Sequence, residues 1–105
     1  MTSFDEREKG FETKFVVDQE LLFKAEARRN KLLGRWAAEK LGVTGDAAST
    51  YANEVVAAAF EAGGEADVLS KVATDLSDKG VSEQQVRLKM DELMATAILQ
   101  VKAGE

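Results

Sequence analysis

The chain contains no cysteine and no histidine. Without cysteine there is no disulfide, no thiolate nucleophile and no thiolate metal ligand. The missing histidine removes the usual general base near neutral pH and the commonest transition-metal ligand. Proline is also absent, so no residue is barred on that account from a helix interior. No stretch of eighteen apolar residues exists, so no transmembrane helix is expected. The first residues, Met1 to Glu8, lack the apolar centre of a signal peptide, and a cytoplasmic location is the resulting expectation.

What is present is a helix-forming, acidic composition. The 105 residues are 45% hydrophobic and 31% charged, with a net charge of −5. That length fits one domain. The charge is uneven. Residues 1–20 hold six acids and three bases, residues 24–40 six bases and two acids, and residues 41–105 eleven acids and five bases. An acidic chain is a poor general binder of nucleic acid, and no nucleic-acid partner is expected. The basic band is Lys24, Arg28, Arg29, Lys31, Arg35 and Lys40. Its first reading is a solvated helix face, or pairing with acids elsewhere in the chain. Binding of something acidic is its second.

Glycine supplies the punctuation. Ser3 with Glu6 fits a capping box that opens a helix at Phe4. Gly10 lies inside that helix and costs about 1 kcal/mol relative to alanine. Residues 1–18 are therefore expected to form an arm that is a marginal helix, frayed or disordered when free. Residues 19–105 are expected to form the second unit, a bundle. Its first helix spans Gln19–Leu41, with Leu22, Leu33, Trp36 and Ala37 inward, and stops at Gly42. Trp36 is expected as a core anchor, and Gly34 as a point of close helix approach. The second helix starts at Thr44 to Asp46 and runs to Gly63 and Gly64. Its apolar stripe is Ala48, Tyr51, Ala52, Val55, Val56, Ala59 and Phe60. The third covers Glu65–Lys79 with Val68, Leu69, Val72, Ala73 and Leu76 inside, closed by Gly80. Ser82 with Gln85 forms another capping box, and a fourth helix follows with Val86, Met90, Leu93, Met94, Ala97, Ile98 and Val101 on one stripe. No strand pattern alternates. The expected fold is all-α, an antiparallel four-helix bundle with a mobile or frayed N-terminal arm.

Catalytic and metal chemistry find little support. The segment from Asp75 places a glycine where a calcium loop needs one, but it also puts Lys79 and Val86 at ligand positions. A helix stop followed by a capping box accounts for the same residues. Gly63-Gly64 lacks the lysine and hydroxyl of a phosphate loop and reads as a turn. Asp91 and Glu92 are adjacent on a helix and point about 100° apart. No enzyme activity, cofactor or metal is expected, which leaves recognition by surfaces.

Four of the five phenylalanines lie in the first twenty-three residues. On a helix, Phe4, Phe11, Phe15 and Leu22 project within about 40° of one another. The stripe is narrow and runs between Asp5, Glu6, Arg7, Glu8, Lys9, Glu12 and Lys14. A segment of this kind inserts into a partner. The competing reading folds the stripe back onto the bundle, which suits Phe15 and Leu22 better than Phe4.

Two long runs carry a family resemblance. Phe23-Lys-Ala-Glu-Ala-Arg-Arg-Asn-Lys-Leu-Leu-Gly-Arg-Trp-Ala-Ala38 resembles the signature of the zeta subunit, an inhibitor of the alphaproteobacterial F-type ATP synthase. The opening run Ser3 to Phe15 resembles that family's inhibitory head. Shorter matches are Leu41-Gly-Val-Thr-Gly45, Tyr51-Ala-Asn-Glu-Val-Val56 and Asp67-Val-Leu-Ser-Lys-Val72. The resemblance implies a four-helix bundle whose N-terminal arm enters the catalytic head, between a catalytic α/β pair and the rotor γ subunit, and blocks ATP hydrolysis. It implies a cytoplasmic protein held at the membrane-bound synthase, without inserting into the membrane. The positions carried over as partner-binding are Phe4, Asp5, Arg7, Glu8, Phe11, Glu12 and Phe15. Arg28, Arg29 and Lys31 match the family motif and are carried as a secondary contact. Two positions depart from the pattern. Val17 stands where many relatives carry histidine, which excludes pH sensing there, and Ser70 stands where arginine is more usual. The alternative function is a helical adaptor that presents the same arm to another protein.

Energetics agree with a head that needs help from the bundle. Ordering about fifteen residues costs on the order of 1–2 kcal/mol each. Burying three phenylalanine rings returns roughly 1.5–3 kcal/mol each. Helical hydrogen bonds, charged contacts and docking of the bundle must supply the remainder.

Overall fold

The structure is a computed structural model and describes residues 19–104. Four α-helices follow one another, α1 (Gln19–Leu41), α2 (Gly45–Ala58), α3 (Glu65–Asp75) and α4 (Glu83–Lys102), with a 3-10 turn at Ser77–Lys79. No strand occurs among the described residues. The architecture is the expected all-α four-helix bundle. The expected cap at Ser3 and Glu6 and the stripe at Phe4, Phe11 and Phe15 lie outside the described residues.

α1 organises the bundle, packing against both α2 and α4, while α3 closes the side between those two. Side-chain pairs show the directions. Arg28 early in α1 bonds to Gln100 late in α4, and Lys89 early in α4 lies over the ring of Trp36 late in α1. Those two helices are therefore antiparallel. Tyr51 and Glu54 of α2 reach Asp75 and Lys71 of α3 in the same crossed order.

The core is made where the stripes meet. Leu33, Ala37, Val55, Val68, Val72, Leu76 and Val86 are fully buried, with Leu69 and Met90 beside them. Gly34 brings α1 and α2 close together. A Cβ at that position would lie 2.6 Å from the Cα of Ala52 and 3.1 Å from its Cβ. Trp36 is half-buried at the margin of the core rather than at its centre. The Nζ atoms of Lys40 and Lys89 stand 5.8 and 5.6 Å from its ring centroid, a cation–π arrangement that keeps one edge of the indole wet.

Three expectations are corrected. α2 ends at Ala58 instead of reaching the glycines, because its last carbonyls are taken up by shorter-range bonds. The amides of Ala59, Phe60 and Glu61 donate to the carbonyls of Val56, Ala57 and Ala58 at 3.0–3.1 Å, tightening the chain into turns. Phe60 consequently lies beyond the helix and is 72% exposed instead of inward. α3 stops at Asp75, and the rest of the expected helix is the 3-10 turn that ends at Gly80 with φ +76°. Leu22, expected inward, is 44% exposed, since α1 outruns its neighbours at that end. The cap of α4 is as expected: Gln85 N donates to Ser82 Oγ at 3.1 Å, and Ser82 N donates to Gln85 Oε1 at 2.8 Å.

A polar clasp joins α2 to α3. The Tyr51 hydroxyl donates to Asp75 Oδ2 at 2.8 Å, and Lys71 Nζ donates to the same oxygen at 3.2 Å while pairing with Glu54 at 3.6 Å. Burial, then the hydrogen bond to Asp75, then the charges of Asp75 and Glu54 push the Tyr51 phenol well above its ordinary value. The unfolded phenol ionises near pH 10, whereas the folded one holds its proton beyond that. The stabilisation is therefore complete below about pH 10 and declines as pH rises past it. Urea unfolding between pH 9 and 11 is expected to show a steeper loss of stability for the native chain than for Tyr51→Phe. Tyr51 is the only tyrosine, so tyrosinate absorbance reports its titration directly.

Candidate interaction surface

The surface at the N-terminal end of the described residues is built by the first turns of α1. Glu20 in the first turn suits the positive end of the helix dipole and pairs with Lys24 at 3.3 Å. Leu22 and Phe23 project to solvent there, Phe23 at 59% exposure. Opposite them the turns after α2 present Ala59 and Phe60. Between the two lies a hollow of about 220 Å³ lined by Phe23, Ala27, Asn30, Val56, Ala59 and Phe60. Glu26, Arg29, Gly64 and Glu65 complete its lining. On the other side of Phe23 a shallower trough of about 550 Å³ runs past Lys24, Arg28 and Lys31 to Val56 and Val101.

The basic run does not act as one patch. Positions 28 and 31 are three apart and share the trough, whereas position 29 is rotated about 100° from 28. Arg28 Nη1 donates to Gln100 Oε1 at 3.2 Å. Lys31 is exposed and makes no ion pair among the described residues. Arg29 is turned inward and only 5% exposed. Its Nε donates to Asn30 Oδ1 at 2.8 Å and its Nη1 to Glu65 Oε1 at 3.2 Å, tying α1 to the start of α3. A buried charge requires such partners. For Arg29 the reading as pairing with the chain's own acids holds, and its side chain is spent on an internal bond rather than offered to a partner.

Sequence reasoning did not single out the burial of Arg29 and Asn30. The signal was present in the register. Ala25, Arg29, Leu33 and Ala37 are four apart on one ridge of α1, and Asn30, Gly34 and Ala38 form the next, all buried. No buried side-chain nitrogen or oxygen among the described residues lacks a hydrogen-bond partner. No group of three metal-ligating side chains occurs among them. None of their helices is long and apolar enough to cross a membrane.

Comparison with known proteins settles the family. The family model for ATPase inhibitor subunit zeta matches residues 1–100, from the aromatic-striped opening to the last turn of α4. The chain belongs to the ATPase inhibitor subunit zeta family. A solution NMR structure is 53% identical to this chain, covers 79% of it and 96% of its own length, and superposes with a TM-score of 0.70. No curated protein sequence matches the chain. Membership makes the protein one of a family of ATPase inhibitors, regulatory in role, with ATP synthase as the implied partner.

Proposed function

We propose that the protein blocks ATP hydrolysis by the F-type ATP synthase by inserting residues 1–18 as a helix between a catalytic α/β pair and the rotor γ subunit. Phe4, Phe11 and Phe15 are the anchors of that helix. Asp5, Arg7, Glu8 and Glu12 pair with charges on the synthase. Residues 19–105 form the bundle that holds the arm at the catalytic head, on the cytoplasmic side of the membrane-bound enzyme. The observation that carries this reading is the span of the family match, which begins at residue 1 and takes in the whole phenylalanine stripe. The helices from Gln19 onward support it, since they enclose a continuous apolar core of their own. Arg28 and Lys31 provide a secondary contact along the trough, and Arg29 supports it from within the fold.

The test is a chain lacking residues 1–18. It is expected to keep the helical content and cooperative unfolding of the bundle and to leave hydrolysis by purified synthase uninhibited. Full inhibition by the shortened chain would remove the arm from the mechanism. Pull-down with the full chain separates this reading from a general adaptor, because the α, β and γ subunits should dominate what is recovered.

A further inference from the structure

The hollow between α1 and the turns after α2 combines apolar surface with acidic charge. Phe23 and Phe60 line it at 59% and 72% exposure, together with Ala27, Val56 and Ala59. Two large rings this open at one concavity form a patch, and such patches mark sites of association. The volume of about 220 Å³ admits a large apolar side chain, since roughly 150 Å³ of apolar cavity binds benzene. The charges decide what accompanies that side chain. Three ionisable groups line the hollow: Glu26, Arg29 and Glu65. The Arg29 guanidinium is buried and bonded to Glu65 at 3.2 Å, so its charge is answered within the chain. Glu26 makes no ion pair among the described residues and leaves the lining net negative. The wall opposite α1 adds to this, because residues 57–70 hold Glu61, Glu65 and Asp67 and no base. Glu65 and Asp67 also offset the positive end of the α3 dipole beside Gly64. The bases of α1 lie elsewhere, with Lys24, Arg28 and Lys31 along the trough on the other side of Phe23.

We infer that the hollow receives a protein segment carrying a large apolar side chain with an arginine or lysine beside it. The apolar group packs against Phe23 and Phe60, and the base pairs with Glu26. This rests on the reading of the protein as an inhibitor of the synthase, and it gives the bundle a point of attachment there that is separate from residues 1–18. Burial of the apolar group supplies most of the affinity, and the charge supplies the choice of partner. An acidic segment is turned away by the same carboxylates.

The test uses the full-length, isotope-labelled chain and three blocked dipeptides as probes: Phe-Arg, Phe-Glu and Ala-Arg. Phe-Arg is expected to shift the amide signals of Ala27, Ala59 and Gly64 saturably. It should bind about fivefold tighter than Phe-Glu, since an exposed ion pair contributes up to about that factor. Ala-Arg, without the ring, is expected to leave the signals in place. Glu26→Gln is expected to remove the preference for arginine, and Phe60→Ser to weaken Phe-Arg about fivefold. Neither side chain belongs to the core, so both variants keep the fold. Glu65 is left unchanged in this test because its loss would strand the buried Arg29. Equal or tighter binding of Phe-Glu, or an unchanged response in either variant, would overturn the inference. So would shifts of the same amides on concentrating the chain alone, which would assign the hollow to a second copy. With purified synthase, Phe60→Ser is expected to lower inhibitory potency several-fold, and unchanged potency also counts against the inference. If probes and variants behave as stated but the chain lacking residues 1–18 still inhibits fully, the hollow stands and the reading of the arm falls. If the shortened chain fails to inhibit and the probes do not discriminate, the reverse holds.

Discussion

Replacing Phe4, Phe11 and Phe15 together by alanine is expected to lower inhibitory potency about a thousandfold while leaving the bundle folded. Each ring buried in a partner contributes roughly 1.5–3 kcal/mol. Three at the lower end come to about 4.5 kcal/mol, and each 1.4 kcal/mol is a factor of ten in affinity. One effect pulls the other way. Alanine is the better helix former by about 0.5 kcal/mol per position, which eases ordering of the arm. It does not match the lost burial, and large aromatic anchors dominate interfaces in general. The check is a titration of ATP hydrolysis by purified synthase with the native and triply substituted chains, alongside thermal unfolding of both. A loss smaller than tenfold would mean that the rings are not the anchors. The three single substitutions should then rank the positions by depth of burial.

Gly34→Val is expected to lower the melting temperature by about 8–16 °C. The contact between α1 and α2 is made backbone to backbone at this position, and a Cβ would sit 2.6 Å from the Cα of Ala52. A clash with the end of a flexible side chain relaxes cheaply, but one with a helix backbone moves the whole helix. Overpacking of this sort costs typically about 1–3 kcal/mol. Valine recovers a few tenths of a kcal/mol in helix propensity over glycine, too little to change the sign. Near 2 kcal/mol, at about 4–8 °C each, gives the stated range for a domain of this size. Gly34→Ala is the more exacting comparison. Its propensity gain approaches 1 kcal/mol, so a smaller drop is expected in the same direction. A melting temperature equal to that of the native chain in both variants would show that the two helices are free to separate there.

The parts of this fold that were legible in the sequence are those specified by short-range chemistry. The capping box at Ser82 and Gln85, the left-handed Gly80 and the end of α1 at Leu41 each depend on residues within one turn of one another. The burial of Val68, Val72 and Leu76 followed from strict spacing on a short helix. The end of α2 was misjudged because Gly63 and Gly64 are the louder stop signal. The chain had already tightened through bonds to the carbonyls of Val56, Ala57 and Ala58, a choice set by how α2 meets α1 and α3. Phe60 was misplaced for the same reason. In the basic run, three neighbouring charges looked alike in composition, and only the packing of α1 separates the inward Arg29 from the exposed Lys31. The partner-binding residues proposed from the sequence, rings and charges at the N-terminus, lie outside the described residues. The hollow at the start of α1 was not legible, because Phe23 and Phe60 line it together only when α1 meets the turns after α2.

α1 is wedged between α2 and α4, and residues 1–18 precede its N-terminal end in the chain. A load applied along α1 at Gln19 therefore acts on the best-supported helix among the described residues. Such a pull is resisted in shear, with the interlocked side chains of both flanks strained at once, and not by peeling one contact after another. A tether anchored in this way withstands far more force than the same helix attached at the rim of the bundle, as the proposed insertion of residues 1–18 beside a rotor requires.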